Sequence, residues 1–285
     1  MRVRYSFSSR RTGNIENIKK QRSKFPSVVK EVVRISDIIL QVLDARFINE
    51  TRNLELEEMM KKQNKKIIYV VNKIDLVNLE ETKEKLKKEN LYPYVLVSCT
   101  KRIGGKSLRD RIKIMAKSID SRYERIQVGI IGYPNTGKSS IINFITGKPS
   151  APTASESGFT KGIQKIKLAE GILILDTPGV IPDLEYSSIN QSALEKHTKI
   201  GVRNYDKVKD PEMMVDSLMP GFSKEIEAFY SINANGSIDV LLEELGRKKN
   251  FLIKKGEIDT DRTARLVLKD WQEGKIKKEQ KEEKK

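Results

Sequence analysis

One cysteine, one histidine and one tryptophan in 285 residues leave several chemistries without material. A lone Cys99 cannot build an internal disulfide framework. With His197 as the only imidazole, a zinc site of Cys and His ligands is also excluded. A reducing, cytoplasmic setting fits this composition. No apolar run approaches the ~18 residues of a membrane span. The N-terminus is basic but has no apolar signal core, and no amphipathic or lipidated anchor accompanies it. Neither secretion nor a membrane partner is expected. A hydrophobic fraction of 38% still suffices for a substantial core.

Charge of one sign is what the chain has in excess. The net charge is +16, and residues 1–36 hold ten Lys/Arg against two Glu, a net +8. So clustered an excess points to a polyanionic partner, and RNA is favoured over scattered solubilising charge. Residues 1–24 read as a flexible basic arm and residues 275–285 as a disordered charged tail. No sequence feature fixes the oligomeric state, and a monomer is the working expectation.

The stretch Gly132-Tyr133-Pro134-Asn135-Thr136-Gly137-Lys138-Ser139 has the spacing G-x-x-x-x-G-K-S. It follows the apolar run Ile126 to Ile131 and precedes a helical pattern from Ser139 to Ile145. Strand, loop and helix start are the context a phosphate-binding P-loop requires. Backbone N–H groups of Asn135, Thr136, Gly137, Ser139 and Ser140 can then face an anion. Lys138 can reach the β/γ-phosphates, and the Ser139 hydroxyl can hold Mg²⁺.

Three further elements end apolar strands. Asn72-Lys73-Ile74-Asp75 (N-K-x-D) closes the run Lys66 to Val71. Guanine presents N1–H and N2–H₂ as adjacent donors. Asp75 can accept from both, whereas adenine would leave its carboxylate unpaired. Asn72 can bond the base edge or brace the P-loop, and the Lys73 stem can cover the base. Ser98-Cys99-Thr100, after Tyr94 to Val97, fits a supporting base loop usually written Ser-Ala-x, with Cys99 as the small residue. Asp176-Thr177-Pro178-Gly179 closes a hairpin of Ile163 to Leu168 and Ile172 to Leu175, and it reads as switch II. There Asp176 would hold Mg²⁺ through water and the Gly179 N–H would sense the γ-phosphate. Thr160 is the preferred switch I threonine for Mg²⁺ and γ-phosphate, with Thr153 as the competing position. Lys138, Thr160 and Gly179 thus form the expected catalytic set, and the ligands are GTP or GDP with Mg²⁺.

Alternation of strands and helices predicts an α/β fold, a doubly wound and mostly parallel sheet with ligands at the carboxyl ends of its strands. After residue 206 the pattern turns helical. Helices are predicted from Pro211 to Leu218, from Ser237 to Leu245 closed by Gly246, and on a face of Ala264, Val267, Leu268 and Trp271 closed by Gly274. The organisation expected is a basic arm (1–24), a GTPase domain (25–206), a small all-helical, RNA-binding C-terminal domain (207–274) and a tail (275–285).

The motif order is unusual, because N-K-x-D and S-C-T precede the P-loop while Thr160 and D-T-P-G follow it. In this order the chain resembles the circularly permuted GTPases of the YlqF/RbgA type, which act in ribosome assembly. Asp44-Ala45-Arg46 matches that group's D-A-R signature. Gly256-Glu257-Ile258-Asp259 through Gly274-Lys275-Ile276 is similar to its C-terminal pattern. The resemblance, over residues 28–275, implies a GTP-hydrolysing switch whose partner is the large ribosomal subunit or its precursor, through rRNA. The alternative is a GTPase acting on tRNA or other RNA. Asn135 resembles the asparagine by which related GTPases coordinate K⁺, a fixed positive charge near the β/γ-phosphates.

Two departures bear on rate. Val180 stands where Ras-like enzymes keep a water-positioning glutamine, so slow intrinsic hydrolysis and stimulation by the partner are expected. No histidine lies near the N-terminus, where bacterial relatives carry one. Arg247, Lys248, Lys249, Lys254, Lys255, Arg262, Arg265 and Lys269 are the candidate RNA contacts of the helical part. Arg46 is left open between a cap, an ion pair and a functional role.

Overall fold

The structure, a computed structural model, describes residues 25–120, 124–148, 164–177, 196–197, 200–201, 205–253 and 256–276. Helix α1 (Phe25–Ile35) leads into strand β1 (Ile38–Asp44), followed by α2 (Leu54–Lys62), β2 (Lys66–Asn72), α3 (Leu79–Lys88), β3 (Tyr94–Leu96) and α4 (Gly105–Ala116). Strand β4 (Ile126–Gly132), α5 (Lys138–Thr146), β5 (Gln164–Ala169) and β6 (Ile172–Asp176) complete the α/β part. The C-terminal helices are α6 (Pro211–Asp216), α7 (Met219–Tyr230), α8 (Ile238–Lys249) and α9 (Thr260–Gln272).

The six strands lie in the order β3-β2-β1-β4-β6-β5. All pairings are parallel except that of β5 with β6. The sheet is covered on both faces. On one, Leu40, Val42, Val70, Val128 and Ile130 pack with Leu108 and Ile112 of α4 and Ile141, Ile142 and Ile145 of α5. On the other, Ile39 and Ile131 pack with Val29 and Val33 of α1 and with Leu56 and Met60 of α2. Leu43, Tyr69 and Val71 meet Leu86 of α3. Strands buried on both faces carry few polar side chains, which is why these segments read as continuous apolar runs.

The C-terminal helices share one core built on Leu241, Leu245, Val267, Leu268 and Trp271. Phe47, just past β1, and Tyr133 of the P-loop belong to that same core. The helical part is therefore packed onto the rim of the sheet where the motifs lie.

Helix α7 has no counterpart among the helices predicted from the sequence. Pro220 occupies its first turn, where a missing N–H costs nothing. One helical expectation needs correction. Helix α8 does not stop at Gly246 but runs to Lys249 and is capped by Asn250 at φ 55°. Gly246 is small for a packing reason, since a Cβ there would lie 2.3 Å from Ile258 Cγ2.

Candidate nucleotide site

Every motif lies at the carboxyl end of a parallel strand. Asp44 ends β1, Asn72 ends β2, Gly132 ends β4 and Asp176 ends β6, while Ser98 follows β3 by two residues. Register aligns them: Asp44 pairs with Asn72, and Val42 with Gly132. Sequence-distant residues 72, 98, 132 and 176 are thereby brought to one rim of the sheet, at the crevice beside β1 where the strand order switches.

At the base end, Asp75 sits in a tight turn (Ile74–Leu76). Ser98 Oγ donates to Asp75 Oδ1 at 2.6 Å and accepts the Lys101 N–H at 3.0 Å, which fixes the carboxylate. Cys99 and Thr100 line the same cleft, whose volume is about 640 Å³. Burial, with the Asp75 charge adding to it, pushes the Cys99 thiol up to about 11, so it stays a neutral, small wall. Asn72 Nδ2 donates to Thr136 O at 2.9 Å, which makes the brace between guanine loop and P-loop. Gly137, at φ 95°, admits that brace: a Cβ would lie 2.3 Å from Asn72 Nδ2. Asn72 Oδ1 is buried with no partner among the described residues.

At the phosphate end, α5 begins at Lys138 with no side-chain cap among the described residues, and the N-terminus of a helix is a place where backbone N–H groups meet an anion. Lys138 Nζ donates to Gly132 O (3.1 Å) and Tyr133 O (2.8 Å), folded back onto its own loop. Burial pulls its pKa down to about 8, with Asp176 opposing. Ser139 Oγ lies 3.5 Å from Asp176 Oδ2, and Asp176 Oδ1 is buried with no hydrogen-bond partner among the described residues. Burial also raises the Asp176 carboxyl, again with Lys138 opposing. A hydroxyl and an unsatisfied buried carboxylate side by side fit a hard, oxygen-preferring cation such as Mg²⁺. Thr177 Oγ1 anchors the strand end on Ile130 O at 2.6 Å. Asn135, at φ 61°, donates its amide to Gly201 O. Thr153, Thr160, Gly179, Val180, Lys254 and Lys255 lie outside the described residues.

Arg46 is the residue the sequence reading left open, and the structure gives it a place. Its side chain is only 5% exposed. It forks onto Asp44 (Nε–Oδ1 3.1 Å, Nη2–Oδ2 2.9 Å) and donates Nη1 to Trp271 O at 3.0 Å. Asp44 Oδ2 also receives Lys73 Nζ at 2.8 Å. Burial alone would raise the Asp44 carboxyl, but the Arg46 and Lys73 charges overcome it and hold it well below the usual carboxylate range. Gln272, the last residue of α9, and Glu273 and Gly274 just past it line the same cleft as Asp75. Sequence reasoning missed them because nothing in their residue types marks a base pocket.

The expected basic face of the C-terminal helices is partly committed elsewhere. Arg265 bonds Asp261 and Tyr205 O, Lys248 bonds Tyr230 O, Arg247 pairs with Glu243, and Arg262 stacks over Phe251. His197 is buried.

Residues 127–241 match the family described as 50S ribosome-binding GTPase. The fold matches GDP-bound YlqF with a TM-score of 0.64 at 25% identity, over 90% of this chain and 99% of that one. The chain has the fold of YlqF, a circularly permuted GTPase. A GNP-bound YlqF from T. maritima superposes equally well, with a TM-score of 0.64 at 24% identity and coverage of 89% and 95%. In sequence, the chain is 38% identical to an uncharacterized GTP-binding protein of Methanocaldococcus jannaschii over 253 residues, 87% of this chain and 65% of that protein. It is 34% identical to nucleolar GTP-binding protein 2 of Saccharomyces cerevisiae over 252 residues, 86% of this chain and 51% of that protein. The chain thus spans about half to two thirds of these longer relatives.

Proposed function

We propose that this chain binds and hydrolyses GTP as a switch in ribosome assembly, most specifically of the large subunit, through contacts with rRNA. The observation that carries the nucleotide reading is Asp75, a carboxylate pinned by Ser98 at one end of a cleft whose other end is the P-loop, with Asn72 bonding the two ends together. In the proposed organisation, residues 25–206 form the GTPase domain, and residues 207–274, with the basic arm 1–24, meet RNA in the cytoplasm.

In this reading Asp75 accepts guanine N1–H and N2–H₂, and the backbone around Cys99 and Thr100 faces guanine O6. Lys73 covers the base. The N–H groups from Asn135 to Ser140 cradle the phosphates, and Lys138 leaves the Gly132 and Tyr133 carbonyls for the β/γ oxygens. Ser139 and Asp176, with Thr160, would hold Mg²⁺, which supplies charge neutralisation on the phosphates. The Gly179 N–H would register the γ-phosphate. The Asn135 side-chain oxygen would take K⁺, which adds positive charge at the leaving group. Family names support the ribosome: the matching family is described as 50S ribosome-binding, and the yeast relative is nucleolar. The net charge of +16 supports an RNA partner.

The test is GTP hydrolysis in KCl and in NaCl, alone and with purified large or small subunits. Stimulation by large subunits, stronger in KCl, is expected. Stimulation without salt preference removes the K⁺ assignment. Stimulation by neither subunit moves the reading to a GTPase acting on tRNA or other RNA.

A further inference from the structure

The guanine loop is not held by the α/β part alone. Asp44 at the end of β1 collects two cations. One is Lys73, within N-K-x-D itself at φ 64°, and the other is Arg46. Arg46 uses the rest of its guanidinium on α9. It donates to Trp271 O and lies 5.3 Å from the centroids of both the Phe47 and Trp271 rings. A second contact joins the same two elements. Gly274, at φ 72°, lies against Leu76, the residue after Asp75, and a Cβ there would stand 2.9 Å from Leu76 Cδ1. The end of α9 thus grips the Asp75 turn from both sides, through Asp44 and Lys73 before it and through Leu76 after it.

We infer that Arg46 and the end of α9 are positioning residues for guanine recognition, so that the C-terminal helices form part of the base pocket rather than an appendage to it. The inference rests on the reading that the chain binds guanine nucleotides. The physics is that of a chain of charge-assisted bonds in a buried setting. Asp44 is 1% exposed and its charge is shared between both cations, so weakening the Arg46 contact draws Lys73 towards the deficit. A displacement of about half an ångström at Asp75 is enough to spoil a two-donor contact. Coupling is reciprocal. A partner that lifts α9 from Leu76 loosens the nucleotide, and bound nucleotide resists that partner by the same factor.

Arg46→Lys in the full chain is the first test, since a lysine cannot fork onto Asp44 and reach Trp271 O together. Affinities for GDP and IDP are measured by competition with fluorescent GDP. IDP lacks the 2-amino group, so the GDP/IDP ratio reports the Asp75 contact and a general loss of stability does not move it. GDP binding is expected to weaken roughly tenfold and the ratio to fall at least about threefold, equivalent to ~0.7 kcal/mol or more. Gly274→Ala, on the other side of the Asp75 turn, is expected to lower the ratio in the same direction. It decides the matter if Arg46→Lys does not fold. A lowered melting temperature with an unchanged ratio overturns the inference, as does no change at all. If the wild type fails to bind GDP, or binds ADP equally well, the guanine reading itself has failed instead.

Discussion

The two ends of the cleft are built on opposite plans. At the base end the groups are already in place. Asp75 is bonded to Ser98, Asn72 to Thr136, and Lys73 and Arg46 to Asp44. At the phosphate end they are satisfied provisionally. Lys138 is turned onto the Gly132 and Tyr133 carbonyls, Asn135 is bonded to Gly201 O, and Asp176 keeps one buried oxygen without a partner among the described residues. A base site that discriminates must be rigid before the ligand arrives, because its selectivity comes from leaving the wrong base's partners unpaired. A phosphate site that switches must instead store groups in a position from which they can move.

Lys138→Met strikes the movable end hardest. It removes charge-assisted contacts to phosphate, so nucleotide affinity should fall on the order of 10³-fold in a competition assay. The nucleotide-free protein should nevertheless melt higher, because a buried cation has been replaced by a thioether. A lower melting point would show that Lys138 is an asset to the empty fold and would break the contrast. At the rigid end, Asp75→Asn should cost about 100-fold in GDP binding while leaving ADP binding nearly unchanged. Loss of both nucleotides alike would mean that the base end is not selective.

The pH dependence sharpens the same contrast. Phosphate keeps Lys138 protonated in the complex, while in the empty site it titrates at about 8. Binding therefore takes up a proton above that pH, and affinity should fall up to about tenfold per pH unit there. Folding of the empty protein responds in the opposite direction. Between about 8 and the ordinary lysine value of 10.5, the unfolded chain holds the proton and the folded one does not. This group's contribution to stability therefore rises with pH across that window. Calorimetry of binding in buffers of different ionisation enthalpy measures the uptake directly. The smallest effect lies away from the cleft. Gly246→Ala crowds Ile258 and should cost ~1–3 kcal/mol of folding stability in denaturant titration, with GDP/ADP discrimination intact.

The movable end was the more legible of the two in the sequence. A P-loop is a local string whose chemistry is carried by eight consecutive residues, and the apolar run before it and the helix after it announce its geometry. N-K-x-D and S-C-T were legible for the same reason, each directly following a buried strand. The parallel sheet followed from the alternation of those strands with helices. What stayed hidden depends on contacts between distant segments. Asp44-Ala45-Arg46 ends a strand like the other motifs, which is a usable signal for its place. Its tie to Trp271 spans 225 positions and no local pattern encodes it. Gly274 reads as an ordinary helix stop, and only its approach to Leu76 shows a second role. The true end of α8 was hidden by Gly246, because glycine marks helix stops and tight packing with the same letter.

The central claim is that the base end is built for guanine before any ligand binds. Its most direct measurement is displacement of fluorescent GDP from the full-length wild-type chain by unlabelled GDP, IDP and ADP at pH 7. The expected order is GDP strongest, IDP weaker, and ADP at least about 100-fold weaker than GDP. Equal displacement by GDP and ADP would contradict it, because Asp75, held by Ser98 and backed by Lys73, Asp44 and Arg46, would then be reading nothing.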